Sequence, residues 1–157
     1  MYIYPHNNEW AAEYARESNE IISNYGKDLK LYHIGSTAVK GLFAKDCIDI
    51  LGVVTKLAKV QAKKECLRGY SYKGEYGIRG RAYFSKTERK VHLHIFEKGD
   101  DNIAKHLNFV NVMSNRPELV IKLNKLKKDL QSQYPNDKDL YQMEKAYFYS
   151  EIHKICQ

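Results

Sequence analysis

The chain has 157 residues, 43% of them hydrophobic and 29% charged, enough for one domain around a single core. No apolar run reaches about 18 residues, so no membrane span is expected, and the opening MYIYPHNNEW carries no basic-then-apolar secretory signal. The formal net charge of +7 favours anionic partners, and the mixed signs mark a globular, soluble chain. Cys47, Cys66 and Cys156 are odd in number and unpaired in spacing, which suggests reduced thiols in a cytoplasmic protein.

Residues 2–6 read as an extended lead-in ended by Pro5, with Asn7 or Asn8 as a helix N-cap. From Glu9 the spacing of Trp10, Tyr14, Ile21 and Tyr25 predicts a helix that Gly26 stops. Leu29 to Ile34 reads as a strand ending at Gly35-Ser36, followed by a short helical bend. Cys47 to Val54 is a second strand, apolar on both faces except for Asp49. Such a strand is covered on both sides, and a carboxylate in it is costly unless a cation, a metal or hydrogen-bond donors hold it. Leu57 to Arg68 has helical spacing and ends at Gly69. Tyr70 to Lys73 and Arg81 to Ser85 read as strands, separated by the mobile, glycine-rich GEYGIRG loop.

After a polar turn over Lys86 to Lys90, VHLHIF alternates strictly. Val91, Leu93 and Ile95 face one way, and His92, His94 and Phe96 the other. Two histidines on one strand face are a candidate metal or phosphate site, or simply a polar sheet face. Beyond Gly99 the pattern turns helical. Asp100 or Asp101 caps a helix through Met113, Pro117 opens a second through about Gln133, and Asp137 or Lys138 begins a third. In the second helix Lys122, Lys125, Lys127 and Lys128 read as a solvated face. The fold class is α+β: a mixed sheet of about five strands, flanking helices and a helical C-terminal half.

Glycine lets backbone approach a ligand closely, and the hydroxyls of Ser36 and Thr37 add to the exposed amides, so the Gly35 turn suits a phosphate. Asp49 in the next strand adds the carboxylate that metal-dependent phosphoryl transfer needs. Lys40 and Lys45 offer point charges to the same anion, and Arg79 and Arg81 offer bidentate contacts. Glu75 supplies a second carboxylate from the glycine-rich loop. His33, just before the turn, either orients the site or packs beneath it.

HIGSTAVKGL, AK, IDILGVV, GEYGIRGRAYF, VHLHIF and the YFYSEI ending together resemble the GrpB family of small nucleotidyltransferase-like proteins, over nearly the whole chain. The same domain is also found fused to dephospho-CoA kinase. The resemblance implies a nucleotidyltransferase-like fold in which a Gly-Ser turn is followed by a carboxylate-bearing strand. It also implies two carboxylates one residue apart that hold divalent metal, with a third on a later strand. Gly35 and Ser36 match the turn and Asp49 the first carboxylate, but the second position is Leu51 and the later strand offers His92 and His94. Lys40 and Asp46 stand where prolines are frequent, which loosens the loop.

Either Asp49, His92 and His94 hold a softer ion such as Zn²⁺ or Mn²⁺ in place of Mg²⁺, or the chain no longer transfers nucleotides. Three readings stay open. One is nucleotidyl or phosphoryl transfer from a nucleoside triphosphate to a small acceptor, with Lys45 and Arg81 stabilising charge and His92, His94 or Glu75 in the catalytic set. Another is a binding module for a nucleotide or CoA-like ligand. The third is RNA binding through the C-terminal lysines, against which the interleaved acids count.

Overall fold

A computed structural model describes residues 2–155. Helix α1 (Glu9–Tyr25) begins where Asn7 Oδ1 accepts from the Glu9 amide at 2.9 Å, and ends at Gly26 with φ 118°. Strand β1 (Lys30–Ile34) leads through a 3-10 turn, Ser36–Ala38, into strand β2 (Ile48–Val54). A five-residue helix α2 (Ala58–Ala62) and a 3-10 turn, Lys64–Cys66, precede β3 (Ser71–Tyr72), β4 (Arg81–Lys86) and β5 (Val91–Glu97). Helices α3 (Asp101–Asn115), α4 (Pro117–Gln133) and α5 (Lys138–Ile155) complete the chain. Asp100 caps α3, its carboxylate accepting from the Asn102 amide at 2.8 Å. No helix among the described residues is long and apolar enough to cross a membrane.

The sheet runs β1-β2-β5-β4-β3, antiparallel throughout except for the central β2–β5 pair. That pair explains why β2 is apolar on both faces except at Asp49, because a central parallel strand is covered on both faces. On one face Ile48, Ile50, Leu93, Ile95 and Phe84 pack against Trp10, Ile21 and Tyr25 of α1. On the other, Leu51 and Phe96 pack with Ile34 against Ile103 and Leu107 of α3. Val39 and Leu42, from the β1–β2 connection, wedge among α3, α4 and α5 beside Phe109, Met113, Leu123 and Ile152. The parallel register sets Asp49 beside His92 and Leu51 beside His94.

Three local expectations change. The helix expected over Leu57 to Arg68 is α2 plus a 3-10 turn, broken at Lys63, which turns its Nζ to the Tyr25 carbonyl at the end of α1. A cation there complements the helix C-terminus, an attraction that local periodicity does not reveal. The glycine-rich loop is tied down: Arg81 donates to the carbonyls of Glu75 and Tyr76 at 3.1 and 2.8 Å. Asp46 does not leave its loop loose, since its Oδ1 accepts from Trp10 Nε1 and Arg89 Nη2, both at 2.9 Å.

A lysine-lined pocket as the candidate functional site

At the C-terminal end of β1 the chain turns through Gly35, with φ 75°. A side chain is excluded there twice over. The φ is one that L-residues rarely adopt, and a Cβ would lie 2.9 Å from Asp49 Oδ2. The turn is thereby pressed against the Asp49 carboxylate, and Ser36 and Thr37 follow it directly.

These residues line a cavity of 290 Å³ together with Ala44, Lys45, Cys47, His92 and five residues of α4 and α5 that carry polar groups: Lys127, Tyr141, Gln142, Lys145 and Tyr149. With Lys90, four lysines surround it. Lys127 is 1% exposed, and its Nζ donates to Ser36 Oγ at 2.8 Å and to the Phe43 carbonyl at 2.7 Å. That leaves one of the three ammonium donors for the pocket. Burial, reinforced by Lys145 and Lys45, holds Lys127 well below the ordinary lysine range. Burial also brings Lys145 down to about 8, with Lys45 adding to the shift and Asp49 opposing it. Lys145 lies between the rings of Tyr141 and Tyr149, 5.4 and 5.3 Å from their centroids. Tyr149 OH in turn meets Ser36 Oγ at 3.3 Å.

The Asp49 side chain is 30% exposed at the pocket floor. Burial pushes its carboxyl up, but the neighbouring His92 and His94 outweigh burial and hold it below the usual carboxylate range. His94 is defined by both its nitrogens. Arg81 Nη1 can only donate, so His94 Nδ1 accepts that bond at 3.1 Å, and the ring proton sits on Nε2, which donates to Asp49 Oδ1 at 3.1 Å. His92 Nδ1 stands 3.5 Å from the same oxygen. Cys47, buried in the pocket wall, has its thiol pushed up to about 12 by burial and by Asp49.

Of the residues expected at the site, Gly35, Ser36, Thr37, Lys45, Asp49 and His92 share this pocket. His94 lies directly behind Asp49, and Arg81 one layer deeper, 7% exposed, with its guanidinium spent on His94 and two carbonyls. Glu75 is on the exposed loop, its Oε2 accepting from the Gly80 amide at 2.6 Å. Arg79 is exposed on that loop, and Lys40 is exposed and does not line the pocket. His33 stacks on Tyr14 at 4.7 Å and pairs through Nε2 with Thr37 Oγ1 at 2.9 Å, and burial lowers it to about 4.

Lys127, Lys145 and Tyr149 were not expected at the site. Lys127 is no part of a solvated face. It is i+4 from Leu123 and i−3 from Leu130, in the buried stripe of α4, and a lysine in such a stripe was the legible signal. Tyr141, Lys145 and Tyr149 recur at i, i+4, i+8, one line along α5. A second cavity of 310 Å³ adjoins the first, sharing Gly35 and Tyr149 and walled by Ile78, Asn102, His106 and Phe109.

A mixed sheet of this order, with a Gly-Ser turn set against a strand aspartate, makes the fold nucleotidyltransferase-like. A crystal structure of the Cid1 poly(U) polymerase with Mg and 3′-dATP superposes with a TM-score of 0.58 at 14% identity, over 82% of this chain and 43% of that one. The crystal structure of conserved protein GrpB from Enterococcus faecalis superposes with a TM-score of 0.88 at 30% identity, over 98% and 96% of the two chains. The glutamate-rich protein GrpB of Alkalihalophilus pseudofirmus is 32% identical over an alignment of 160 positions that covers 96% of this chain and 92% of that protein. The UPF0157 protein YqkA of Bacillus subtilis is 33% identical over an alignment of 144 positions that covers 88% of this chain but only 42% of YqkA. A family model described as GrpB protein matches residues 1–154, and the chain belongs to the GrpB family.

Proposed function

We propose that the chain binds a nucleotide, a CoA-like molecule or another phosphorylated small molecule, with phosphate in the lysine-lined pocket and the organic part in the adjoining cavity. The observation that carries this reading is Lys127: an ammonium 1% exposed, hydrogen-bonded only to neutral oxygens among the described residues. A buried charge without a counter-charge is costly, and an anion beside it removes the cost. Tyr141 supports the reading, for it lines the pocket and its buried hydroxyl has no hydrogen-bond partner among the described residues. A phosphate at Ser36 would meet Lys45, Lys127 and Lys145 at once.

Nucleotidyl or phosphoryl transfer is the second reading, favoured by Asp49 and its histidines. The fold family implies Mg²⁺, and the donor set does not fit it. Magnesium takes oxygen ligands, whereas Asp49 is the one carboxylate among the lining residues and Leu51 is fully buried in an apolar cluster. The geometry therefore supports binding ahead of transfer.

Thermal unfolding with ATP, CTP, GTP, CoA and inorganic phosphate, each with and without Mg²⁺, tests this. A ligand at 100 times its Kd stabilises by about 2.7 kcal/mol, roughly 5–11 °C for a chain this long. The expected result is a shift with a phosphorylated ligand that Lys127→Met removes. No shift with any of them, or a shift indifferent to Lys127, refutes the reading. Pyrophosphate release with Mg²⁺ present would replace it with transfer.

A further inference from the structure

The floor of the pocket holds a ligand set that a phosphate-binding role does not use. Cys47 Sγ, one carboxylate oxygen of Asp49 and a ring nitrogen of His92 lie within 4.8 Å of one another. The 3.5 Å between His92 Nδ1 and Asp49 Oδ1 is long for a hydrogen bond. It is, however, the spacing of two donors on one tetrahedral ion. Ligands about 2.0–2.3 Å from zinc stand roughly 3.3–3.7 Å from each other. Supporting groups are in place as well: His94 Nε2 donates to Asp49 Oδ1, and Arg81 fixes the His94 ring from behind. Outer hydrogen bonds of this kind orient metal ligands.

We infer that Cys47, Asp49 and His92 form a site for one thiophilic divalent ion of the zinc type, with a fourth position open to the pocket. The set is soft, a thiolate and an imidazole with a single carboxylate, and it selects zinc over magnesium. His94, with both nitrogens engaged, is a positioning residue and not a ligand. Three protein ligands and one open position are the pattern of zinc sites that present the ion to a ligand.

Lys45 and Lys90 line the same cavity and repel a bare dication. The thiolate and the carboxylate cancel its charge, so the loaded centre is neutral and leaves the lysines free for an anion. Loading exchanges the thiol proton for the ion and releases one proton to solvent. The site stands on protein ligands alone, so it does not depend on the phosphate reading.

The test is titration of the metal-free, reduced full chain with Co²⁺, followed by absorption. The expected result is a thiolate-to-cobalt charge-transfer band that saturates at about one ion per chain and is displaced by Zn²⁺. Cys47→Ser abolishes the band, while Cys66→Ser with Cys156→Ser leaves it. His92→Gln alters a part-exposed side chain and weakens Co²⁺ binding at least about tenfold, since even outer-shell changes cost that much. Absence of the band, its survival in Cys47→Ser, or indifference to His92→Gln overturns the inference. If Cys47→Ser does not fold, His92→Gln decides alone.

Discussion

Lys127 Nζ lies 2.8 Å from Ser36 Oγ, joining helix α4 to the turn after β1 across 91 residues of sequence. Lys127→Met removes a buried charge, which is often neutral or stabilising, and strips the Phe43 carbonyl of its donor, which costs about 1–3 kcal/mol. The two effects oppose, so the melting temperature moves by only a few degrees while stabilisation by the phosphorylated ligand disappears. Parallel melting curves of the variant with and without ligand check both halves.

The low Lys145 value sets a pH dependence with two opposite signs. Between about 8 and the ordinary lysine range the unfolded chain carries a proton on this amine that the folded chain has lost. Stability of the free protein therefore rises with pH across that window, and Lys127 contributes in the same direction. Anion binding needs the charged amine, so ligand affinity falls as pH rises through about 8. Lys145→Met flattens both trends at once. Denaturant titrations and binding isotherms between pH 7 and 10 read them separately.

Gly35 and Gly69 form a matched pair. Their φ values are 75° and 85°, yet a Cβ at Gly35 would meet Asp49 Oδ2 at 2.9 Å and one at Gly69 would meet nothing within 4 Å. Gly69→Ala pays only the left-handed backbone penalty of about 1–2 kcal/mol. Gly35→Ala adds the collision and displaces the carboxylate, so it melts several degrees lower than Gly69→Ala and loses metal or ligand binding that Gly69→Ala retains. Equal melting temperatures would mean that Asp49 is not pressed against the turn.

Leu51→Asp restores on paper the second carboxylate that the fold family leads one to expect. Leu51 is fully buried, packed with Ile34 and Phe96 beneath α3. A carboxylate there lacks solvent and forfeits apolar burial, at a cost of about 3 kcal/mol or more, or roughly 6–12 °C in melting temperature. The variant is expected to gain no Mg²⁺-dependent stabilisation. A calorimetric Mg²⁺ titration checks this, and a gain would show that the strand can present two carboxylates to one ion.

The order of strands and helices, and Asp49 as the polar exception in a buried strand, were legible because periodicity and burial are local properties of sequence. So was the contrast between the two faces of β5. The division of labour between its histidines was not. It depends on Arg81 reaching His94 from the neighbouring strand and leaving His92 open to the pocket. The same applies to Asp46, whose grip on Trp10 and Arg89 replaces the stiffness a proline would give. Lys127 is different, because its place in the apolar stripe was readable and the abundance of neighbouring lysines concealed it.

Tyr141, Lys145 and Tyr149 reach the pocket from α5, while Ser36 and Asp49 belong to the first third of the chain. The site exists only while the last helix is docked, so whatever occupies it also clamps that helix. A ligand that binds only the closed arrangement transfers its binding free energy to the docking equilibrium. Strands β2 and β5, held at the centre of the sheet, have little protection left to gain. Amide exchange along α5 is thus the natural gauge of occupancy, slowing when the pocket fills while the sheet stays unchanged.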